Sequence, residues 1–316
     1  MAKRRKIMML GLYHPFVFTV KTDNVGTSTD TQFTLPLISS FNGVTAEVDW
    51  GDGNTDVITA YNQAEVTHTY SIAGTYEVKI DNGLRGWWFA NGGDKDKILN
   101  ISNWGVFDIN VYYAFWGCSN LTVSATDVPV ITTGDLGYMF RECISLTTLD
   151  VTNWDVSGVT GMQWMFFDCS SLTTLTGAET WDVSGVTNMS LMFMDCTSLA
   201  TLGVTNWDVS GVTDMNQMFR NCDSFDYSLA NWNINKVTDF TFFMVLATGL
   251  STSNYDATLV GWESTLQAEF PSGVGYTPTI GINFGGSTFT TGGAGDTARQ
   301  SLITNFGWTI TDGGGI

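Results

Sequence analysis

The chain has 316 residues, of which 43% are hydrophobic and 14% are charged, and its formal net charge is −18. This length suits two ordinary domains, or one domain with a repeat array. The frequent glycines and scarce charges predict mostly β-structure with short connectors. The negative net charge argues against binding to the phosphate backbone of a nucleic acid, because that function needs a basic surface.

Residues 1–11 are predicted to form a basic N-terminal arm. Lys3, Arg4, Arg5 and Lys6 supply four of the 13 basic residues of the chain. We favour a disordered tail, and the alternative is an anchor that docks on an acidic partner in a larger assembly. The apolar run behind the arm is short and lacks a small-x-small cleavage site, so a signal peptide is not expected. No stretch approaches the roughly 20 apolar residues that a membrane span requires.

Residues 12–82 carry alternating apolar and polar residues, which is typical of strands with one buried face. The string V-D-W-G-D-G at residues 48–53 contains a tight hairpin turn, and G-T-Y at residues 74–76 leads into a final strand. Together with H-T-Y at residues 68–70, these motifs resemble the PKD-type domain. The resemblance implies a β-sandwich that serves as a spacer or as a contact module for proteins and glycans.

A repeat dominates residues 83–250. The string W-D-V-S-G-V-T begins at Trp154, Trp181 and Trp207, and weaker copies begin at Trp104 and Trp232. Five residues beyond each complete copy lies a Met-Phe pair, and three residues after its Phe lies a cysteine. All the cysteines of the chain occupy this slot at spacings of 25 to 27 residues: Cys118, Cys143, Cys169, Cys196 and Cys222. About six units are therefore predicted.

Each unit combines two patterns. The alternating apolar residues of its Ser-Leu-x-x-Leu segment predict a short strand. The M-x-x-M-F-x-x-C segment has the i, i+3, i+4, i+7 spacing of one helical face, which predicts a short α- or 3₁₀-helix. The apolar edge of a unit can be buried only against its neighbours, so a solenoid is predicted. In the sixth unit we assign Leu246 to the cysteine slot.

These slots resemble the BspA-like leucine-rich repeat, whose pattern is W-D-x-S-x-V-T-x-M-x-x-M-F-x-x-C-x-S-L. The resemblance covers about half of the chain. It implies a mainly β fold with short helices, in which a leucine-rich-repeat-type solenoid follows the PKD-like sandwich. It also implies a protein of bacterial surfaces or of phages with a role in adhesion.

Residues 251–316 are predicted to cap the open end of the solenoid. Residues 298–303 can form a short helix, and residues 308–310 a last strand. The strings Y-D-x-x-L-x-G-W and A-R-x-x-L, followed by G-W-T-I-T-D-G-G, resemble the endings that accompany this repeat class.

The sequence shows no catalytic pattern, and we expect a non-enzymatic protein without metal or cofactor. Only two histidines are present, so a Ser or Cys nucleophile lacks its usual base. The D-x-N-x-D string at residues 52–56 imitates a calcium loop, but Val57 stands where that loop needs glycine, so turn chemistry explains it better. The repeated Asp155, Asp182 and Asp208 are expected to cap turns. The cysteines are interpreted as a buried structural core ladder.

Slots that vary between units are expected to face outward. Two such slots carry large residues: the residue before the second methionine (the pre-Met slot) and the residue after the phenylalanine (the post-Phe slot). They give the candidate binding face: Trp116, Tyr138, Arg141, Trp164, Phe167, Leu191, Met194, Gln217 and Arg220. A contiguous apolar patch usually marks an interface. The alternative is that these side chains pack on a neighbouring helix or on the sandwich.

The predicted function is presentation of this face to a host-surface protein or glycan, within a larger assembly. We favour a phage virion component, such as a fibre, decoration or receptor-binding protein, because a surface-type architecture without an export signal fits assembly in the host cytoplasm. A bacterial cell-surface adhesin is the alternative. A carbohydrate-active enzyme, with the sandwich as its accessory module, is a third hypothesis.

Overall fold

The computed structural model describes residues 14–276 and 280–316, so the predicted basic arm at residues 1–11 lies outside the described residues. Within them the protein is mainly β, as predicted, with two α-helices, α1 (Thr252–Glu269) and α2 (Ala294–Phe306). Neither helix combines the length and the apolar composition needed to cross a membrane. Short 3₁₀ segments lie at Ser39–Phe41, Ala64–Val66, Lys95–Lys97, Ala178–Thr180 and Pro271–Gly273.

The strands are short, and most of them lie in the first third of the chain or in the cap. In chain order they are β1 (Phe16–Lys21), β2 (Gln32–Thr34), β3 (Ala46–Asp49), β4 (Thr55–Ile58), β5 (Thr67–Thr69), β6 (Thr75–Asp81), β7 (Ile98–Asn103), β8 (Asp108–Ile109), β9 (Thr122–Val123), β10 (Val130–Ile131), β11 (Thr148–Asp150), β12 (Thr174–Thr176), β13 (Thr201–Leu202), β14 (Gly281–Asn283), β15 (Thr288–Phe289), β16 (Thr309–Thr311) and β17 (Gly314–Gly315).

A six-stranded sheet with the order β4-β3-β6-β1-β7-β9 forms the N-terminal part of the fold. Strands β3 and β4 make the antiparallel hairpin on either side of the glycine-rich turn that the sequence predicts. Strand β6 begins at Thr75, inside the G-T-Y motif, as expected for a final strand. Strands β2 and β5 pair antiparallel in a separate two-stranded sheet.

The same sheet joins this module to the repeats. Strand β1 pairs antiparallel with β6 on one side and with β7 on the other, and β9 adds to β7 in parallel. At the junction the Phe16 ring centroid lies 5.4 Å from that of Trp87 and 4.6 Å from that of Phe107. One hydrogen-bonded sheet and one hydrophobic core therefore cross the predicted boundary at residue 82.

Successive repeat units lie parallel and in register. Strands β11, β12 and β13 come from the Ser-Leu-x-x-Leu segments and form a parallel sheet in which Leu149 is opposite Leu175, and Leu175 is opposite Leu202. On a second side of the stack, isolated parallel bridges join residues one unit apart, from Asp135 through Gly161 onward. Each unit thus adds one layer to the stack.

The M-x-x-M-F-x-x-C segment is a run of tight turns, and the prediction of a short helix there was wrong. In the third unit Trp164 and Asp168 have φ values of 60° and 52°, in the left-handed region that an α-helix does not visit. The Met165 N–H donates within its own unit, whereas the Phe166 N–H donates to Met192 O of the next unit. Because alternate N–H groups find acceptors in the neighbouring layer, stacking replaces the hydrogen bonds that a helix would make.

The sixth unit is displaced by one residue from our assignment. The Phe219 N–H donates to Phe243 O, a bond that in earlier units ends on the second methionine. Phe243 therefore occupies the methionine slot, and Met244 occupies the phenylalanine slot. Ala247 fills the cysteine slot and is 1% exposed, whereas Leu246 is 61% exposed. The assignment of Leu246 to this slot was wrong because the spacing of the units shortens here.

The cap closes the far end of the core with α1, α2 and two short parallel ladders, β14 with β16 and β15 with β17. Helix α2 contains the predicted residues 298–303, and β16 overlaps the predicted strand at residues 308–310. Helix α1 was not predicted. Its Ser251 cap and its buried Tyr255, Thr258, Leu259, Trp262 and Leu266 give the signal that sequence reasoning missed, because they lie at the spacing of one helical face.

A tryptophan ladder links the repeats to the cap. The Trp232 indole N–H donates to Val204 O at 2.9 Å, and the Trp262 indole N–H of α1 donates to Leu229 O at 2.8 Å. Each donor lies one layer beyond its acceptor, so the cap helix continues the pattern of the array. The cap motifs also meet: the Tyr255 hydroxyl donates to Asp312 Oδ2 at 2.7 Å, beside an Asp312 ion pair with Arg299.

Candidate binding surface

The inner side of each turn carries the buried phenylalanine of the repeat. Successive rings stack nearly parallel, with centroid distances of 5.6 Å between Phe166 and Phe193 and between Phe193 and Phe219. Each of these rings is fully buried. A phenylalanine fits this slot in the first five units because each of these layers packs against a similar layer, and Met244 replaces it in the sixth unit.

The structure places the five cysteines in the interior, as free and buried thiols. The Cys169 thiol donates to Phe140 O at 3.1 Å, and the Cys196 thiol donates to Phe166 O at 3.0 Å, so each reaches into the preceding unit. Burial raises the pKa of all five thiols well above their usual range. A neutral, shielded thiol is a poor nucleophile and a poor metal ligand, so this ladder serves packing.

The repeated aspartates act in turns. Asp155 and Asp182 each accept hydrogen bonds from the backbone N–H and the hydroxyl of the serine two residues later, and Asp208 accepts from the Ser210 N–H. Their equivalent surroundings do not supply the two different environments of an acid–base pair. Among the described residues, no group of three or more His, Cys, Asp and Glu side chains is arranged to hold a metal ion.

The carboxylates of the calcium-like string at residues 52–56 form hydrogen bonds within and beside their own hairpin. Asp52 accepts from the Asn54 N–H at 3.0 Å and lies 2.9 Å from His68 Nε2. Asp56 accepts from the Trp50 indole N–H at 2.9 Å. The hydrogen bond to His68 and those to Asn54 hold the pKa of the Asp52 carboxyl below its usual value, against the opposing effect of burial. These carboxylates therefore stabilise the turn.

The outer side of the turns carries a continuous aromatic surface in the first three units. We call it the aromatic strip: Tyr113, Trp116, Tyr138, Arg141, Trp164 and Phe167. Its ring centroids are 4.6 Å apart between Tyr113 and Tyr138, 5.6 Å between Tyr138 and Trp164, and 4.8 Å between Trp164 and Phe167. All six side chains are half-buried, mainly against one another. The strip thus combines the pre-Met and post-Phe slots of adjacent units.

Arg141 holds the strip together from its centre. Its guanidinium carbon lies 4.7 Å from the Trp116 ring centroid, 4.5 Å from that of Trp164 and 4.8 Å from that of Phe167. Its Nε donates to Glu142 Oε1 at 2.9 Å. Cation–π contacts contribute about 0.5–1 kcal/mol each at exposed sites, so several of them together fix the rings in one arrangement.

The faces of these rings are largely occupied within the strip. The Tyr138 and Trp164 rings are inclined by 6° and stack on each other, and Arg141 lies over the neighbouring rings. The strip therefore offers mainly ring edges to a partner, with few free flat faces.

The remaining predicted residues continue the same slots beyond the strip, and all are half-buried: Leu191, Met194, Gln217 and Arg220. Here Arg220 Nη1 donates to Gln217 Oε1 at 2.7 Å, so the surface becomes polar. At the far end Phe242 occupies the pre-Met slot and is 52% exposed.

Sequence reasoning missed the N-terminal end of the strip. Tyr113 occupies the pre-Met slot of the first unit, where Ala114 stands in place of methionine. Extending that slot by one unit would have found it. Trp88 and Tyr112 flank Tyr113 at 6.4 and 4.4 Å between ring centroids, and both are exposed.

A row of carboxylates runs beside the strip, two residues after each phenylalanine. We call it the acidic row: Glu142, Asp168 and Asp195. Burial, Asp195 and Glu142 together raise the pKa of Asp168. In the part of the chain that the structure describes, no cation lies within ion-pair distance of Asp168 or Asp195. Arg141 pairs with Glu142 and only partly offsets the shift at Asp168, so the row keeps an excess of negative charge at Asp168 and Asp195.

The family comparison matches the region that contains this surface. A family model described as "Mycoplasma protein of unknown function, DUF285" matches residues 88–178 and residues 172–264. These ranges contain the aromatic strip and the acidic row. No curated protein and no solved structure matches the chain.

Proposed function

Because the chain belongs to the DUF285 family, whose description states no function, we propose its function from the aromatic strip: it is a non-enzymatic protein that binds a partner protein through this surface. One observation carries the proposal. Half-buried rings occupy outward slots of successive units and form one continuous surface, although nothing in the interior requires aromatic residues there. Aromatic side chains and arginine are enriched at the centres of protein interfaces.

A fold-level proposal accompanies it: the array is a BspA-like leucine-rich-repeat solenoid, and residues 12–82 form a PKD-type sandwich. The parallel register of β11, β12 and β13 supports the first part. For the second part, the W-G-D-G and H-T-Y motifs come together, since the Trp50 and His68 rings stack at 4.7 Å. Such an architecture suits presentation of a surface at a distance from an anchor.

A protein partner fits the strip better than a glycan does. Stacking of a sugar ring on an aromatic side chain requires a free flat face, and the faces of Tyr138 and Trp164 are turned to each other. Ring edges and the Arg141 charge can instead pack against side chains and backbone carbonyls of another protein. Glycan binding to the strip is therefore the alternative outcome of the binding test.

We propose the surface of a virion as the setting of this function, with a bacterial cell surface as the alternative. The repeat array and the sandwich are of a type that suits either setting. Immunogold labelling with an antibody against the chain distinguishes them. Gold particles on purified virions support the first setting, and gold particles on intact cells of an uninfected strain support the second.

The binding test removes one ring of the strip. Labelled full-length protein is titrated onto host cells or onto purified virions, and the Trp164→Ala variant is expected to bind at least about tenfold more weakly, as for a central interface aromatic. The matched control is Phe242→Ala, which removes an exposed ring from the same slot of the sixth unit. Equal binding by wild-type protein and both variants would contradict the proposal. Competition by soluble host glycans, but not by protease-released surface proteins, would indicate a glycan ligand.

A further inference from the structure

We propose that residues 1–13 of the chain dock on its own aromatic strip and acidic row. This inference rests on the strip being a binding surface, and it names an occupant for that surface. It follows from the chemistry of the segment, the charge beside the strip and the place where the described chain begins.

The segment is basic first and apolar next. Lys3, Arg4, Arg5 and Lys6 are followed by an Ile-Met-Met-Leu run at residues 7–10. A surface that binds such a segment needs a negative part and an apolar part side by side. The methionines suit an irregular aromatic surface, because Met is flexible and makes favourable contacts with aromatic rings.

The strip and the acidic row offer this combination. Burial of Asp168 and the nearby negative charges of Asp195 and Glu142 raise the pKa of the Asp168 carboxyl, and Arg141 offsets this only in part. Arg141 relieves the charge of Glu142, but no described cation pairs with Asp168 or Asp195. A basic segment would supply that missing charge while its apolar run covers the neighbouring rings.

The segment starts within reach of the strip. The carbonyl oxygens of His14 and Pro15 approach Gly105 so closely that a Cβ at that position would clash with them. The neighbouring Trp104 ring lies 6.0 Å from the Phe115 ring, next to the first residues of the strip. Thirteen extended residues span about 43–47 Å. This length is several times the 5.6–5.7 Å that separates the stacked phenylalanines of successive layers. Tethering also gives the segment an effective concentration on the order of millimolar.

Photocross-linking of the full-length chain tests this placement. Ala2→Cys introduces one accessible thiol, which is labelled with benzophenone maleimide; the five native thiols are buried and unreactive. After irradiation at low salt, cross-linked peptides are mapped by mass spectrometry in the monomer band. We expect them to concentrate on the strip and acidic row, between residues 113 and 195. Cross-links spread over other faces, or cross-links to the strip only between two molecules, would overturn the proposal.

A matched pair of variants tests the charge argument. Asp168→Asn with Asp195→Asn is expected to lower the yield of strip cross-links about fivefold at low salt, and 1 M salt is expected to lower it similarly, because the Debye length falls to about 3 Å. Asparagine suits this slot, since Asn221 occupies it in the fifth unit. The control, Asp155→Asn with Asp182→Asn, removes two charges from the same units at exposed turns, where the sixth unit already has Asn233. Equal yields from the two pairs would overturn the role of the acidic row.

The outcome is separable from that of the proposed function. If cross-links fall elsewhere while Trp164→Ala still weakens partner binding, only the docking of the segment fails. If cross-links map to the strip while Trp164→Ala leaves partner binding unchanged, the strip serves the segment alone and the proposed function fails.

Discussion

The inner and outer sides of one repeat turn differ in how tightly packing restricts their side chains. Phe166 faces the interior and is stacked on an identical ring in each neighbouring layer, whereas Trp164, two residues earlier, lies in the half-exposed aromatic strip. The inner slot repeats because each ring must fill the same space between the same neighbours. The outer slot varies because a partly exposed side chain does not have to fill a fixed space between two layers. Function in such an array is therefore to be sought where neighbouring units differ.

The largest effect is expected on the inner side. Phe166→Ala removes a fully buried ring and leaves a cavity between two layers, which costs about 3–5 kcal/mol of the free energy of unfolding. Phe167→Ala, next to it on the outer side, is expected to cost about 1 kcal/mol, because that ring is half-buried. Urea denaturation followed by circular dichroism measures both. Equal losses of unfolding free energy in the two variants would contradict the distinction between a packed inner side and a half-exposed outer side.

A smaller difference in stability is expected within the tryptophan ladder, where the same slot of two units provides a variant and its control. The Trp207 indole N–H donates to Ala178 O at 2.8 Å, whereas the Trp181 indole N–H has no acceptor among the described residues. Both indoles are buried, so Trp→Phe removes similar packing at the two sites. We expect Trp207→Phe to destabilise the protein by about 1 kcal/mol more than Trp181→Phe in thermal unfolding. A larger loss at Trp181 would show that this hydrogen bond does not join the layers.

The acidic row gives the smallest effect, with the opposite sign. Burial and the nearby carboxylates raise the folded-state pKa of Asp168 above its usual value, so the folded protein binds that proton more tightly than the unfolded chain does. This contribution is present below about pH 3.8 and is lost as the pH rises through the folded pKa. Asp168→Asn is therefore expected to stabilise the protein by a few tenths of a kcal/mol at pH 7, with the gain vanishing near pH 3.5. A constant gain at every pH would argue against a charge effect.

The repeat register was predictable because several slots recur in phase. The spacing of Trp154, Trp181 and Trp207 fixes which residues must share an interior, and the structure stacks the units in this order. The hairpin around the glycine-rich turn and helix α2 also followed from local signals that tertiary contacts did not override.

The conformation of the turns was not predictable from apolar spacing alone. A helix and two successive turns both return the apolar residues of M-x-x-M-F-x-x-C to one side. What decides between them is the hydrogen bond from Phe166 to the next unit, which is a contact between layers. The left-handed φ of Trp164 is unfavourable for a bulky residue, so no local propensity indicates it.

The strip was predictable in part. The varying slots indicated Trp116, Tyr138 and Trp164 as outward residues, and the structure brings them together around Arg141. The enclosure of that guanidinium by four rings depends on the lateral alignment of three layers. Sequence spacing gives the order of the layers but not the direction of each side chain.

Oxidation of two methionines in the same unit tests the contrast between the sides most directly. Met192 is the second methionine of its unit and is fully buried on the inner side, and Met194 lies half-exposed in the post-Phe slot. In native protein treated with dilute hydrogen peroxide, peptide mass spectrometry should show sulfoxide at Met194 at least about tenfold faster than at Met192, with the rates converging in urea. Equal rates in the native protein would contradict the account, because the turn would then have no protected side.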